Sequence, residues 1–333
     1  MKNHIRMLLA VLILAGCASV AQTQTVVPHE NTLIASQTLP LPASQELKLP
    51  SGSDFNFIII SDHGRNGYSN QKEVGETLGK VASLSSARFV VTAGDNFQTA
   101  GVQSVHDPLW WFSHESIYTN PSLNVDWYPA LGNHDHGGNI QAQVDYSNIS
   151  RRWKMPAAYY TLVKARNNIS IRLIILDTYS LVEGFGSPDE KYTLAAAQKQ
   201  VHFVDSVLTV EKEDWVVVVG HHPVYSAHPT RKNTKELVEF LNPVLNRHDV
   251  DFFVGAHDHI FQHLKDPNSK IDYFVNTAGS EVRESASNEW TQFAASAPGF
   301  SIVSATKTDL SMYFINMEGK AIYKYSRSKP AAN

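Results

Sequence analysis

Among 333 residues there is one cysteine, Cys17, so no disulfide framework can form within the chain. Basic residues are also scarce in clusters: 28 lysines and arginines face 32 acidic residues, for a formal charge of −4. With no basic stretch, a groove for nucleic acid is not expected. No internal repeat is visible, and proline and glycine are spread evenly without marking a second linker. One large domain is therefore the expectation.

The first sixteen residues have the character of an export signal. Lys2 and Arg6 precede the apolar run Met7 to Leu14, which is too short to span a bilayer as a mature helix. Leu14-Ala15-Gly16-Cys17 resembles the bacterial lipobox. That resemblance implies a signal peptide over 1–16, acylation of Cys17, and an exported protein held on the periplasmic side of a membrane. Ala18 and Ser19 stand where an aspartate retains lipoproteins at the inner membrane, so the outer membrane is favoured. Residues 17–50, rich in Gln, Thr, Ser, Pro and Val, are expected to form the acylated start and a flexible tether, and 51–333 the domain. A monomer is expected.

Within that domain, apolar runs alternate with helical patterns. Strands are expected over 55–61, 88–93, 127–131, 170–177, 215–220 and 252–255. Helices are expected over 71–83, 139–152, 192–210 and 232–248. Past residue 270 the pattern turns to strands at 272–276, 300–305, 311–316 and 320–325, implying a second, more antiparallel sheet. The fold class is α/β.

Polar residues fall where an α/β sheet gathers its ligands. Asp62, Asp95, Asn133, His221 and His257 each lie just past the end of an apolar strand, so they can converge from two hundred residues of sequence. The segments are Ser61-Asp62-His63-Gly64, Gly94-Asp95-Asn96, Gly132-Asn133-His134-Asp135, Gly220-His221-His222-Pro223 and Gly255-Ala256-His257-Asp258-His259. Two carboxylates, an amide oxygen and three imidazoles suit iron, manganese or zinc better than calcium or a thiolate metal. Two ions can share such a set through a bridging carboxylate, and Asp95 is the natural bridge. Trp110, Trp111 and Trp153 read as core, and His136, His222 and Asp258 as groups that orient a neighbouring imidazole.

The order D-x-G, GD, GNHD, GH and H-x-H resembles the calcineurin-like metallophosphoesterase superfamily, and within it the small purple acid phosphatases of the tartrate-resistant type. Gly94 to Phe97, Gly101-Val102-Gln103, Trp127-Tyr128, Tyr146, Arg152-Trp153 and Leu176-Asp177-Thr178 extend the likeness over about 55–280. The resemblance implies a four-layer α/β/β/α sandwich, two mixed sheets flanked by helices. It places Asp62, Asp95 and His259 on a first metal and Asp95, Asn133, His221 and His257 on a second, with His134 and His228 beside the substrate. The implied activity is a phosphomonoesterase of acid phosphatase type acting on small organic phosphates. Its metals lower the pKa of bound water, so that hydroxide exists near neutral pH. Asn133 and His134 would neutralise phosphoryl charge, and a protonated His228 or His134 would hand a proton to the leaving alkoxide.

Two positions depart from that pattern. Gln98 stands where these phosphatases carry the tyrosine that binds ferric iron, and Gly64 where other members carry a histidine. A neutral amide favours a divalent ion over a ferric tyrosinate. Gln98, His63 or water are the substitutes, although His63, adjacent to Asp62 on a strand end, is expected to point away. A phosphodiesterase acting on nucleotides or lipid headgroups, and a tethered metal- or phosphate-binding lipoprotein without activity, are the competing readings.

Overall fold

In a computed structural model the described residues are 45–49, 55–210 and 213–330. The expected signal peptide, Cys17 and most of the expected tether lie outside them. Phe55–Ile60 (β1), Gln71–Ser85 (α1), Phe89–Ala93 (β2) and Asp126–Ala130 (β3) come first. Ile140–Asp145 (α2), Tyr160–Arg166 (β4), Ile169–Ile175 (β5), Thr178–Gly186 (α3), Leu194–Val210 (α4) and Trp215–Val219 (β6) follow. The remainder is Asn242–Arg247 (α5), Phe252–Gly255 (β7), Phe261–Leu264 (β8), Asp272–Val275 (β9), Thr291–Ala295 (β10), Gly299–Ala305 (β11), Asp309–Asn316 (β12) and Ala321–Ser328 (β13).

These strands form two mixed sheets, in the orders β13-β12-β11-β1-β2-β3 and β10-β8-β9-β7-β6-β5-β4. Alternation along each strand decides which layer a side chain enters. Phe57 and Ile59 of β1 join Val91, Leu173, Val217, Phe252 and Phe314 in a buried cluster between the sheets. Ile58 and Ile60 point the other way, onto Val74, Leu78 and Val81 of α1. Ile174, Val218 and Phe253 similarly meet Leu181 of α3, Val204 of α4 and Leu245 of α5. The result is the expected helix, sheet, sheet, helix stack.

The last strands correct one expectation. They do not make a sheet of their own: β11, β12 and β13 extend the first sheet, with β11 antiparallel to β1, while β8, β9 and β10 extend the second. The apolar face of β11 is completed by β1, which is why hydrophobic pattern alone could not assign its sheet. The helix expected over 139–152 ends at Asp145 and continues only as the tight turn Tyr146–Asn148. Strands β4, β8 and β10 and helix α3 were not expected. Gln45 pairs with Ala321 through two backbone hydrogen bonds of 2.9 and 3.0 Å, and Leu47 and Leu49 pack on the outer core, so the end of the expected tether lies on the domain.

Candidate metal centre

Parallel strands β1, β2 and β3 of one sheet, and β6 and β7 of the other, release their chains into loops that meet. Asp62 follows β1, Asp95 follows β2, Asn133 follows β3, His221 follows β6, and His257 and His259 follow β7. Four of the six, Asp62, Asp95, His257 and His259, hold φ between 50° and 67°. That left-handed region is costly for residues with a Cβ, and such residues concentrate at functional sites.

The donor atoms converge. His221 Nε2 lies 3.1 Å from Asn133 Oδ1, 3.1 Å from His257 Nδ1, 3.4 Å from Asp95 Oδ1 and 4.0 Å from Asp62 Oδ1. His259 Nε2 lies 3.2 Å from Asp62 Oδ1. The far nitrogens fix the roles of the near ones: His221 Nδ1 sits 2.9 Å from the Ala93 carbonyl, and His259 Nδ1 2.6 Å from that of Glu281. A carbonyl only accepts, so in the neutral rings these are N–H donors and Nε2 turns a lone pair inward. Asp62 Oδ1 is buried and accepts no hydrogen bond. Lone pairs facing one another with an orphaned carboxylate oxygen fit a bound cation, and Asp62, Asp95 and His221 alone bring three ligand atoms within 4.8 Å.

The field inside this cluster is strong. Against the cost of burial, His259 and His221, when protonated in the absence of a cation, hold the Asp62 carboxyl well below the usual carboxylate range. Burial, followed by the neighbouring His222 and His221, pushes His257 far below its ordinary value.

Backbone spacing makes the convergence possible. A Cβ on Gly132 would fall 2.2 Å from Asp95 Oδ1, and one on Gly94, whose φ is +87°, 2.7 Å from His221 Nδ1. Sequence reasoning missed Asp135, which ties these loops together. Its buried carboxylate accepts the backbone N–H groups of Asn96, Phe97 and Gly132, and the side-chain amides of Asn96 and Gln143.

The other expected residues are distributed as follows. His134 donates its backbone N–H to Asp95 Oδ1 at 2.9 Å, while its ring, 37 % exposed, keeps Nε2 3.8 Å from Asp95 Oδ2. Gln98 aims its amide at Asp95 Oδ2 from 3.4 Å. His63 instead meets the Tyr118 ring edge-on with centroids 5.6 Å apart. His222 bonds Thr178, His136 bridges Asp177 and Tyr192, and Asp258 accepts from Ser226. His222 therefore touches His221 and His257 only through ring contacts. Trp110 and Trp153 are core, whereas Trp111 is exposed.

His228 differs from the expectation of a charged acid. Burial, then Arg231 and Arg283, push it down to about 4. Its Nδ1 accepts the backbone N–H groups of Thr230 and Arg231, which leaves the proton of the neutral ring on Nε2. The neutral ring thus presents Nε2–H as a hydrogen-bond donor, while the charged form that could hand over a proton is disfavoured.

A two-sheet sandwich with a buried oxygen and imidazole cluster at its strand ends is built to hold metal. Residues 55–261 match the family described as calcineurin-like phosphoesterase, and the chain belongs to it. It is 32 % identical over 305 residues to purple acid phosphatase 4 of Arabidopsis thaliana, covering 87 % of this chain and 88 % of that one. It is 34 % identical over 280 residues to tartrate-resistant acid phosphatase type 5 of Sus scrofa, covering 79 % and 81 %. Among solved structures, the fold is similar to that of GAP50, the anchor in the inner membrane complex of Plasmodium, with a TM-score of 0.73 and 22 % identity over 82 % of this chain and 88 % of that one. A dimetal phosphatase from Danio rerio aligns with a TM-score of 0.57 and 16 % identity over 82 % and 98 %.

Proposed function

We propose that this chain is a two-metal phosphomonoesterase of the acid phosphatase type, hydrolysing small organic phosphates. The observation that carries this reading is the position of Asp95, whose Oδ1 faces His221 Nε2 at 3.4 Å while Oδ2 faces Gln98 at 3.4 Å. Asp95 thus has one oxygen for each side of the cluster. One ion would be held by Asp62, Asp95 and His259, the other by Asp95, Asn133, His221 and His257. When bound, such ions lower the pKa of water and neutralise phosphoryl charge.

The chain's own groups do the rest. Asn133 and the exposed edge of His134 orient the phosphoryl oxygens, and His228 Nε2–H donates a hydrogen bond to the leaving oxygen as charge builds on it. With the neutral Gln98 amide in place of a phenolate, the first position takes a divalent ion: zinc, manganese or ferrous iron. The protein acts outside the cytoplasm as a monomer, anchored to the periplasmic side of a membrane through acylated Cys17, with the outer membrane favoured.

The test is turnover of p-nitrophenyl phosphate and bis(p-nitrophenyl) phosphate by metal-stripped protein re-supplied with zinc, manganese or iron. The expected result is monoester hydrolysis that returns with about two ions per chain and is lost in Asp95→Asn. Preference for the diester would favour the diesterase, and a single ion with background rates would favour a binding protein.

A further inference from the structure

Beside this cluster stand two arginines that the ligand set does not require. Arg231 Nη1 donates to the His257 carbonyl at 3.1 Å and lies 3.4 Å from Asp258 Oδ1. Arg283 Nη1 donates to the same carbonyl at 2.9 Å, and its backbone N–H bonds the His259 carbonyl at 3.1 Å. Nε and Nη2 of both guanidinium groups make no hydrogen bond to the described residues. One guanidinium would suffice to brace the loop. Two like charges on one carbonyl repel.

The one carboxylate bonded to either guanidinium is shared: Asp258 is buried, and its other oxygen is taken by Ser226. Arg231 also donates its backbone N–H to Nδ1 of His228, the group beside the leaving oxygen, at 3.1 Å, and shares the His257 carbonyl with Arg283. Their free forks therefore belong to the leaving-group side of the centre, and a guanidinium fork matches a carboxylate or phosphate.

We propose that Arg231 and Arg283 form a subsite for a second anionic group on the leaving alcohol. The preferred substrates are then phosphate monoesters whose alcohol carries a carboxylate or a further phosphate. This rests on the monoesterase reading above, and the subsite sets specificity while the metals and His228 carry out the chemistry.

The experiment compares kcat/KM of the metal-loaded protein in matched pairs: 3-phosphoglycerate against glycerol 3-phosphate for a carboxylate, and propane-1,3-diol bisphosphate against propyl phosphate for a second phosphate. At least one pair is expected to favour the doubly anionic member by about tenfold or more, as charge-assisted hydrogen bonds allow. The ratio should collapse towards one in Arg231→Gln/Arg283→Gln. Equal values within both pairs, or a preference unchanged in the variant, overturn the proposal. So does an equal loss on every substrate, which is what a loop brace alone would give.

A binding pair keeps this separate from catalysis: phosphonoacetate should bind the loaded protein more tightly than ethylphosphonate by calorimetry, and the difference should vanish in the variant. If no monoester turns over, the functional reading fails while the binding pair still decides the subsite. If the double variant does not fold, Arg283→Gln, which leaves Arg231 on the His257 carbonyl, is read in the same way.

Discussion

His221 and Ala93, separated by 128 positions in the chain, are joined by a contact of 2.9 Å from the imidazole Nδ1 to the last carbonyl of β2. This contact reaches from one sheet to the other and sets the ring so that Nε2 meets Asp62, Asp95, Asn133 and His257. Gly94 follows that carbonyl, and any side chain there would strike the ring it orients.

Gly132→Ala tests how tightly the loops are set. A Cβ 2.2 Å from Asp95 Oδ1 forces the carboxylate to move. Bound metal per chain should fall, and overpacking should destabilise the fold by about 1–3 kcal/mol, measured by denaturant unfolding. Unchanged metal content would show that Asp95 has more room than its neighbours suggest.

Asp135→Asn replaces an acceptor-only group among five N–H donors by one that brings its own N–H group. The expected cost is about 1–3 kcal/mol of stability, with a fall in kcat because the Asp95 and Asn133 loops lose their common tie. Unfolding curves and turnover on the same preparation report both.

His228→Ala removes the Nε2–H donor. The loss should be about 10²-fold in kcat for alkyl phosphates, whose leaving oxygens carry the most charge, and much smaller for p-nitrophenyl phosphate. An equal loss on both would assign His228 to binding instead.

Gln98→Tyr should restore a phenol beside Asp95. Loaded with ferric iron, the variant is expected to show a visible absorption band that the parent lacks. A colourless variant with iron bound would mean the new ring does not reach the metal.

Stability should fall in acid because of His114, a fully buried ring flanked by Tyr118, Trp127 and Trp153 and near Arg152 and His63. Burial, then Arg152, hold it well below its ordinary 6.5. The unfolded chain takes up the proton first, so the stability is complete above about pH 6.5 and is lost below it, at up to ~1.4 kcal/mol per pH unit. Thermal or denaturant unfolding of His114→Phe should show a slope shallower by about one proton over that range.

Much of this architecture was legible because buried strands are written as apolar runs and their ligands follow at once. Phe55 to Ile60 leads into Asp62, Trp215 to Val219 into His221, and Phe252 to Gly255 into His257. What stayed hidden lacks such a local signature. β8, Phe-Gln-His-Leu, is four residues long, and β10 mixes Thr and Gln with Ala. Asp135 reads as part of a metal motif, and only the five N–H groups it accepts, from four residues, reveal a structural carboxylate. Arg283 sits in a loop with no period, and its relation to Arg231 exists only through the His257 carbonyl both of them bond.

Asp62, Asp95 and Asn133 come from one sheet, and His221, His257 and His259 from the other. A nascent chain therefore has no complete centre until His259 has left the ribosome, and β1 must still wait for β11 to cover its free edge. A product that stops between His221 and His257 keeps most of the chain's length yet holds four of the six ligands, so synthesis and loading are ordered: a complete centre requires strands of both sheets to have been made.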